Sequence, residues 1–241
     1  MYFHTENLLS RKIMTFSQFG SQDDTIVMRV WFRPAEGTEI RFIQTRVGQN
    51  MQALKDRILK EGRNLGNGIL KIDSLLNHQL DPQLMVGMGK SMAQLFADIT
   101  VHRILTAEIS GIAPALMTAI EMNVPVVYAR KKQPITMRGP IYMEAAPSHT
   151  KGGMVELLVS GEFLNANENV LIIDDFLATG ETLKALARLV QAANANVVGV
   201  GVVVEKSFEG GREAMIQAGY NVPIHALATI ISMDGDNIEI E

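Results

Sequence analysis

From about Met51 onward, the hydrophobic pattern of this chain switches between two periods. Apolar runs without polar alternation occupy His102–Thr106, Pro125–Ala129, Met154–Ser160, Asn169–Asp174 and Val197–Glu205. Such runs read as strands buried on both faces of a sheet. Between them, apolar residues recur every three or four positions over Gln52–Glu61, Pro82–Ala97, Ile112–Met122, Gly180–Ala193 and Gly210–Ala218, which read as helices. Val197 to Val204 is too β-branched and too glycine-interrupted for a helix. Strands and helices in alternation imply parallel βαβ units with right-handed crossovers, hence an α/β fold. Two segments follow neither period. Gly68–Asp81 is mixed, and Arg130–Gly153 is long, polar and rich in Pro and Gly, as lids or disordered loops are.

The run from Asn169 to Thr182 carries the strongest chemical signal. Apolar Val170 to Ile173 ends in the adjacent acids Asp174 and Asp175, which the strand pattern places at its carboxyl end, where open α/β sheets bind ligands. Ala178, Thr179, Gly180, Glu181 and Thr182 follow at once, offering unhindered backbone N–H groups and two hydroxyls at a helix start. Ionised carboxylates accept from paired hydroxyls such as a ribose 2′,3′-diol, and a loop of N–H groups suits a phosphate. Together they describe a clamp for a ribose 5-phosphate. A dinucleotide fold would put the Gly-rich turn before the acid, and no Walker-type Gly-x-x-x-x-Gly-Lys-Ser/Thr run is present in the sequence.

A second strand–turn–helix unit repeats the anion-binding layout. His102–Ala107 runs into Glu108, Ile109, Ser110 and Gly111, followed by the helical pattern of Ala115, Leu116, Ala119, Ile120 and Met122. The Asp-Asp-x-x-Ala-Thr-Gly-x-Thr segment resembles the signature of the type I phosphoribosyltransferases. The resemblance implies a mostly parallel twisted sheet flanked by helices, a small N-terminal hood and a flexible lid loop. It implies that Asp174 and Asp175 hold the ribose hydroxyls of phosphoribosyl pyrophosphate (PRPP) and that Ala178 to Thr182 hold its 5-phosphate. The Glu108–Gly111 loop, which in related enzymes can carry a non-proline cis bond, would take the pyrophosphate.

Gly68–Pro82 and Val203–Arg212 narrow the resemblance to the bacterial xanthine phosphoribosyltransferases, which the chain follows from about Met51 to its end. The base-holding positions of that family fall on Leu70, Asn77 and Lys206. Asn77 offers a donor and an acceptor, and Lys206 only donors. That set suits the two oxo groups of xanthine and opposes the 6-amino group of adenine, at roughly 1–3 kcal/mol for each unpaired buried donor. Taken alone, Asn77 reads equally as a cap or turn residue and Lys206 as a solvated loop lysine. The resemblance further implies a lid over Arg130–Gly153, Mg²⁺ bound mainly through substrate, and a homodimer. Lys131, Lys132 and Lys151 are candidates to neutralise pyrophosphate or are ordinary loop lysines. Glu108 and Glu205 are candidates to support the site from behind.

Composition changes the picture by exclusion. The 241 residues, 47% of them hydrophobic, allow one large α/β domain with a small appendage. A formal charge of -4 disfavours a general nucleic-acid binder, and the absence of cysteine rules out disulfides and thiolate chemistry and suits a reducing cytoplasm. No apolar run approaches a membrane span. Residues 1–50 lie outside the resemblance, with 51–241 as the catalytic domain. They read either as an artefact of start-codon choice, with Met51 the working start, or as an extension with a contact role. Val27–Phe32 and Glu39–Ile43 are expected to pair there as a hairpin. Two rival readings stay open: a phosphoribosyltransferase for hypoxanthine, guanine or adenine, and a PRPP-sensing transcription regulator of the same fold.

Overall fold

The structure, a computed structural model, describes residues 16–19, 27–30, 48–147 and 153–241. Met1–Gln49 and Asn50–Glu241 form two compact units. In the first, β1 (Phe16–Phe19) pairs antiparallel with β2 (Val27–Val30), Phe16 opposite Val30. The strand expected at Val27 is present, but its partner lies upstream. The proposed partner Glu39–Ile43 falls outside the described residues.

Helix α1 (Gly48–Glu61) begins at the boundary and leads into the second unit, followed by the short pair β3 (Arg63–Asn64) and β4 (Leu70–Lys71) and one π-helical turn, Asp73–Asn77. Helix α2 (Pro82–Leu95) begins at Asp81, whose carboxylate accepts from the N–H groups of Gln83 and Leu84 at 3.0 and 3.1 Å. This acid also meets Arg57 Nη1 at 2.9 Å, tying α1 to the same cap. The chain continues through β5 (Arg103–Ala107), α3 (Ile112–Met122), β6 (Val126–Ala129), β7 (Ile141–Pro147), β8 (Met154–Ser160), β9 (Asn169–Leu177), α4 (Glu181–Ala192), β10 (Asn196–Lys206), α5 (Gly211–Gln217), β11 (Ile224–Asp234) and β12 (Asn237–Ile240).

Six strands form the main sheet in the order β12-β11-β10-β9-β5-β6, parallel except for β12. Its centre is β9, where successive residues bury opposite faces. Val170 and Ile172 pack with Leu183, Leu186 and Val190 of α4 and with Leu157 and Val159 of β8. Leu171 and Ile173 pack with Met88, Met92 and Phe96, and with Ala115 and Ala119 of α3. That two-sided burial is why the run carries no polar alternation.

Three expectations need correction. Arg130–Gly153 is not irregular throughout: Ile141–Pro147 forms β7, an antiparallel arm with β8 from Ile141 opposite Ser160 to Pro147 opposite Met154. Lys151 lies outside the described residues. Strand β9 does not stop at Asp174 but runs to Leu177, so the acids sit within it. Strands β11 and β12 complete a sheet edge for which the apolar pattern gave no expectation.

At the sheet end opposite the acids, Arg103 grips Glu168 in a two-pronged pair, Nε to Oε2 at 2.6 Å and Nη2 to Oε1 at 2.8 Å. Hydrogen bonding to Arg103 holds Glu168 from its ordinary 4.5 down to about 2. A lowered folded-state value stabilises the fold above the ordinary carboxylate range, and the gain fades as pH falls toward that lowered value. Glu168→Gln is therefore expected to lower Tm at neutral pH by about 2–4 °C, for a partly exposed pair contributing about 1 kcal/mol. The gap from the unmodified protein should close in acid. A gap that stays constant with pH would show that the pair contributes nothing through ionisation.

Candidate active site

The ladder around β9 explains how two acids inside a strand remain available. Toward β10 the pairing continues through Asp174 opposite Val202 and Phe176 opposite Val204. Toward β5 it ends at Ile172 opposite Leu105. Beyond that point β5 turns away through Glu108–Gly111 into α3, and a cleft opens between the diverging strands. All the residues singled out for ribose, phosphate, pyrophosphate and base border this cleft, of about 510 Å³. Lys131 borders it too, whereas Lys132 is exposed and does not.

Asp174 is only 4% exposed. Burial and the neighbouring Asp175 charge push its carboxyl well above the usual range, and burial raises Asp175 as well. Two ionised carboxylates side by side in a dry place are costly, which favours their holding a proton until a ligand's hydroxyls and cations arrive. Asp175 Oδ1 accepts from the Phe176 N–H at 2.9 Å, and its Oδ2 accepts from Asn77 Nδ2 at 3.1 Å. The same Nδ2 donates to Ser110 Oγ at 3.0 Å. Asn77 therefore joins three parts of the site: its own π-helical turn, the Ser110 loop and the acid pair.

The loop after β9 leads straight into the start of α4. Gly180 sits at φ 80, a left-handed conformation that favours glycine, and caps α4. A Cβ there would also stand 2.9 Å from the Gly211 carbonyl oxygen. The first bond of the helix is Lys184 N–H to Gly180 O at 2.9 Å. The N–H groups of Glu181, Thr182 and Leu183 thus precede the helical ladder, at the positive end of its dipole and bordering the cleft. Glu181 turns its carboxylate to Lys184 Nζ at 2.6 Å, so its side chain is already engaged within α4.

The Glu108–Gly111 loop crosses the other wall. The Glu108–Ile109 peptide is cis. Glu108 accepts from the Lys131 N–H at 2.7 Å and pairs with Arg130 at 3.6 Å, which ties this loop to the chain leaving β6. Gly111 is a close-approach point: a Cβ there would lie 2.3 Å from Asp174 Oδ1 and 2.3 Å from Thr106 Oγ1. Leu70, in β4, borders the cleft from the hood, the segment 68–81. Lys206 ends β10, buried rather than solvated, with Nζ donating to Gly68 O at 2.7 Å.

A family profile described as "Phosphoribosyl transferase domain" matches residues 80–217, more than half of the chain. The chain belongs to the phosphoribosyltransferase family. Among family relatives, the xanthine phosphoribosyltransferase of Deinococcus deserti is 50% identical over 192 residues, covering 79% of this chain and 98% of that protein. The xanthine phosphoribosyltransferase of an Exiguobacterium species is 46% identical over 188 residues, covering 78% and 96%. Solved adenine phosphoribosyltransferases share the fold. That of Thermoanaerobacter pseudethanolicus has a TM-score of 0.61 at 20% identity, covering 74% of this chain and 99% of its own. That of Rhodothermus marinus has a TM-score of 0.61 at 24% identity, covering 75% and 98%. At those identities the likeness concerns the fold alone.

Around this cleft, Phe176 and Thr106 were not foreseen from the sequence, whereas Glu205 was a candidate support. Phe176, directly after the acids, borders the cleft and has Lys206 Nζ 5.9 Å from its ring centre. Its position in an otherwise aliphatic strand was the available signal. Thr106 is fully buried and its hydroxyl has no hydrogen-bond partner among the described residues. Glu205 is occupied: Arg212 Nε meets its Oε1 at 2.9 Å and Nη1 bonds the Ile224 carbonyl at 2.7 Å, so this pair braces α5 against β11. Among the described residues no group of three or more His, Cys, Asp or Glu is arranged for a metal. The two acids beside an anion-binding cleft are the donor set expected for magnesium that arrives with substrate phosphates.

Proposed function

We propose that this protein transfers the 5-phosphoribosyl group of PRPP to N9 of xanthine, releasing xanthosine 5′-monophosphate and pyrophosphate. The observation that carries this reading is the meeting, in one cleft, of the acid pair, the phosphate cradle and the Leu70–Asn77–Lys206 base set. The identity to relatives named for xanthine, spanning nearly their whole length, supports the choice of base.

The bond from C1′ to the pyrophosphate oxygen breaks early, N9 takes its place at C1′, and the N9 proton passes to the departing pyrophosphate or to water. Positive charge develops on the ribose ring as the leaving oxygen departs. Asp174 and Asp175 grip the ring hydroxyls and place negative charge beneath that developing cation. The cradle from Ala178 to Thr182 anchors the 5-phosphate, so the ring is held at both ends. Ser110 and Gly111 offer the pyrophosphate a hydroxyl and a helix start, with Lys131 opposite. Asp174 and Asp175 would hold magnesium that arrives with the substrate, and the metal would supply positive charge to neutralise the leaving group. Lys206 donates to a base oxo group, and Asn77 exchanges its present partners for the base edge. No side chain is needed as a general base; positioning and charge stabilisation carry the reaction.

Residues 51–241 are proposed as the catalytic domain, working as a homodimer in the cytoplasm. The exposed apolar side chains of Leu116, Ile120 and Tyr128 on α3 and β6 support self-association. The cysteine-free sequence suits a reducing compartment. Among the described residues no helix is long and apolar enough to cross a membrane.

The test is to incubate the protein with Mg²⁺, PRPP and each purine base and follow nucleotide formation. Xanthine is expected to be the preferred acceptor, and Lys206→Ala to raise its KM by about tenfold or more, the worth of one charge-assisted hydrogen bond. Preference for adenine, or no nucleotide from any purine, would overturn the reading.

A further inference from the structure

Lys206 meets protein on three sides. Its side chain is only 5% exposed, and Nζ pairs with the Glu209 carboxylate. It also donates to Gly68 O at 2.7 Å and faces the Phe176 ring at 5.9 Å. An ammonium has three N–H donors. Gly68 and Glu209 engage two, which leaves one for an acceptor inside the cleft. Without these partners, the flexible four-carbon stem would spread that donor over several rotamers.

Glu209 closes the 3₁₀ turn Ser207–Glu209 that follows β10, and its side chain is 13% exposed. It is not among the residues bordering the cleft. The same carboxylate packs on the hood. Gly68 adopts φ +72, and a Cβ there would lie 2.9 Å from Glu209 Oε1. Gly68 stands two residues before Leu70, which borders the base end of the cleft. One carboxylate therefore touches both the lysine and the backbone that carries the leucine.

We infer that Glu209 is a positioning residue for base selection: its carboxylate aims the remaining donor of Lys206 into the cleft and holds the hood at Gly68 against that lysine. This rests on the reading of Lys206 as a base-binding residue. It adds that recognition depends on a residue that does not touch the base. Glu209 also balances the charge of Lys206. The cleft then offers a base a directed donor rather than net positive charge, and a purine is chosen by where its oxo groups lie.

The test compares Lys206→Ala, Glu209→Ala, Glu209→Asp and Glu209→Gln with the unmodified protein. KM and kcat are measured for xanthine, guanine and hypoxanthine at saturating PRPP, and for PRPP at saturating xanthine. Glu209→Ala is expected to raise the xanthine KM by about tenfold and to shrink the xanthine-to-guanine preference, leaving the PRPP KM unchanged. Glu209→Gln keeps an acceptor oxygen at the same reach and should restore the xanthine KM to within about threefold of normal. A role confined to stability would instead move all bases and PRPP together. Glu209→Asp keeps the charge and the turn while withdrawing the carboxylate by one methylene. It should show an intermediate loss, and it decides the matter should Glu209→Ala not fold. If Lys206→Ala raises the xanthine KM while the Glu209 variants leave it and the base preference unchanged, the inference about Glu209 fails alone. If Lys206→Ala leaves the xanthine KM untouched, the base-site reading fails and takes this inference with it.

Discussion

Asp174→Asn will cut turnover by orders of magnitude and raise the melting temperature. Both effects come from the same burial. The carboxyl is 4% exposed, and its ionisation is opposed first by desolvation and then by the charge of Asp175. A folded-state value raised above the unfolded one gives stability that is complete below the ordinary carboxylate value of 3.8 and is lost as pH rises through the raised value. At neutral pH the fold therefore carries a penalty that the neutral amide removes. Relief of each kcal/mol corresponds to about 2–4 °C in Tm for a domain of this size. The gap between variant and unmodified protein should widen from pH 4 upward and vanish in stronger acid. Turnover should fall by about 10²–10³-fold or more, as when one preorganised charge-stabilising group is removed. Scanning calorimetry across pH, with steady-state rates on the same preparations, checks both halves. A variant that is less stable at pH 7, or that turns over normally, would contradict the assignment.

Gly111→Ala is expected to be nearly as damaging to activity and, unlike the first change, to destabilise the fold. Gly111 has ordinary helical backbone angles, φ -68 and ψ -19. On conformational grounds alone, alanine would stabilise by about 0.4–1 kcal/mol by restricting the unfolded chain. Space decides the sign. The added Cβ would lie 2.3 Å from both Asp174 Oδ1 and Thr106 Oγ1 and 3.2 Å from the Ala107 carbonyl oxygen. The first two are buried polar atoms on the sheet's central strands, with little room to withdraw. Overpacking of this kind costs about 1–3 kcal/mol, which exceeds the entropic gain. The acid it displaces is the one proposed to hold the ribose, so kcat/KM for PRPP should drop by about 10²-fold, the effect of roughly an ångström of misplacement. Chemical denaturation together with PRPP kinetics tests this. Unchanged kinetics would mean that the approach of Gly111 to Asp174 has no part in the reaction.

The parts of this protein legible in its sequence are those where one physical demand fixes residue type. Strand β9 must be apolar on both faces, so Val170 to Ile173 announce it. The cradle needs φ above zero and bare N–H groups, so Gly180 announces that. The parts that stayed hidden depend on partners distant in sequence. Whether Ile141–Pro147 is loop or strand is decided by Met154–Ser160 across the hairpin, and its mixed burial leaves no clean period. The extension of β9 past the acids is decided by β10, which pairs on to Leu177. Strand β11 mixes Ser, Thr and His among its apolar residues and has β12 as an edge neighbour, so its pattern is diluted. Within the site, the acids and the cradle sit on one continuous segment and could be read directly. The bridge from Asn77 to Ser110 and Asp175 spans residues far apart in the chain, and only the fold joins them. Glu209 left no signal at all, because a glutamate in a short turn after a strand is ordinary until its carboxylate is found against Lys206.

The acid pair and the adjoining cradle are expected to bind PRPP together. Titration calorimetry of the protein with PRPP and Mg²⁺ tests this most directly, beside the double variant with Asp174→Asn and Asp175→Asn. The account predicts saturable binding at one site per chain in the unmodified protein and its loss in the folded double variant. No heat from the unmodified protein, or equal affinity in the two, would contradict it.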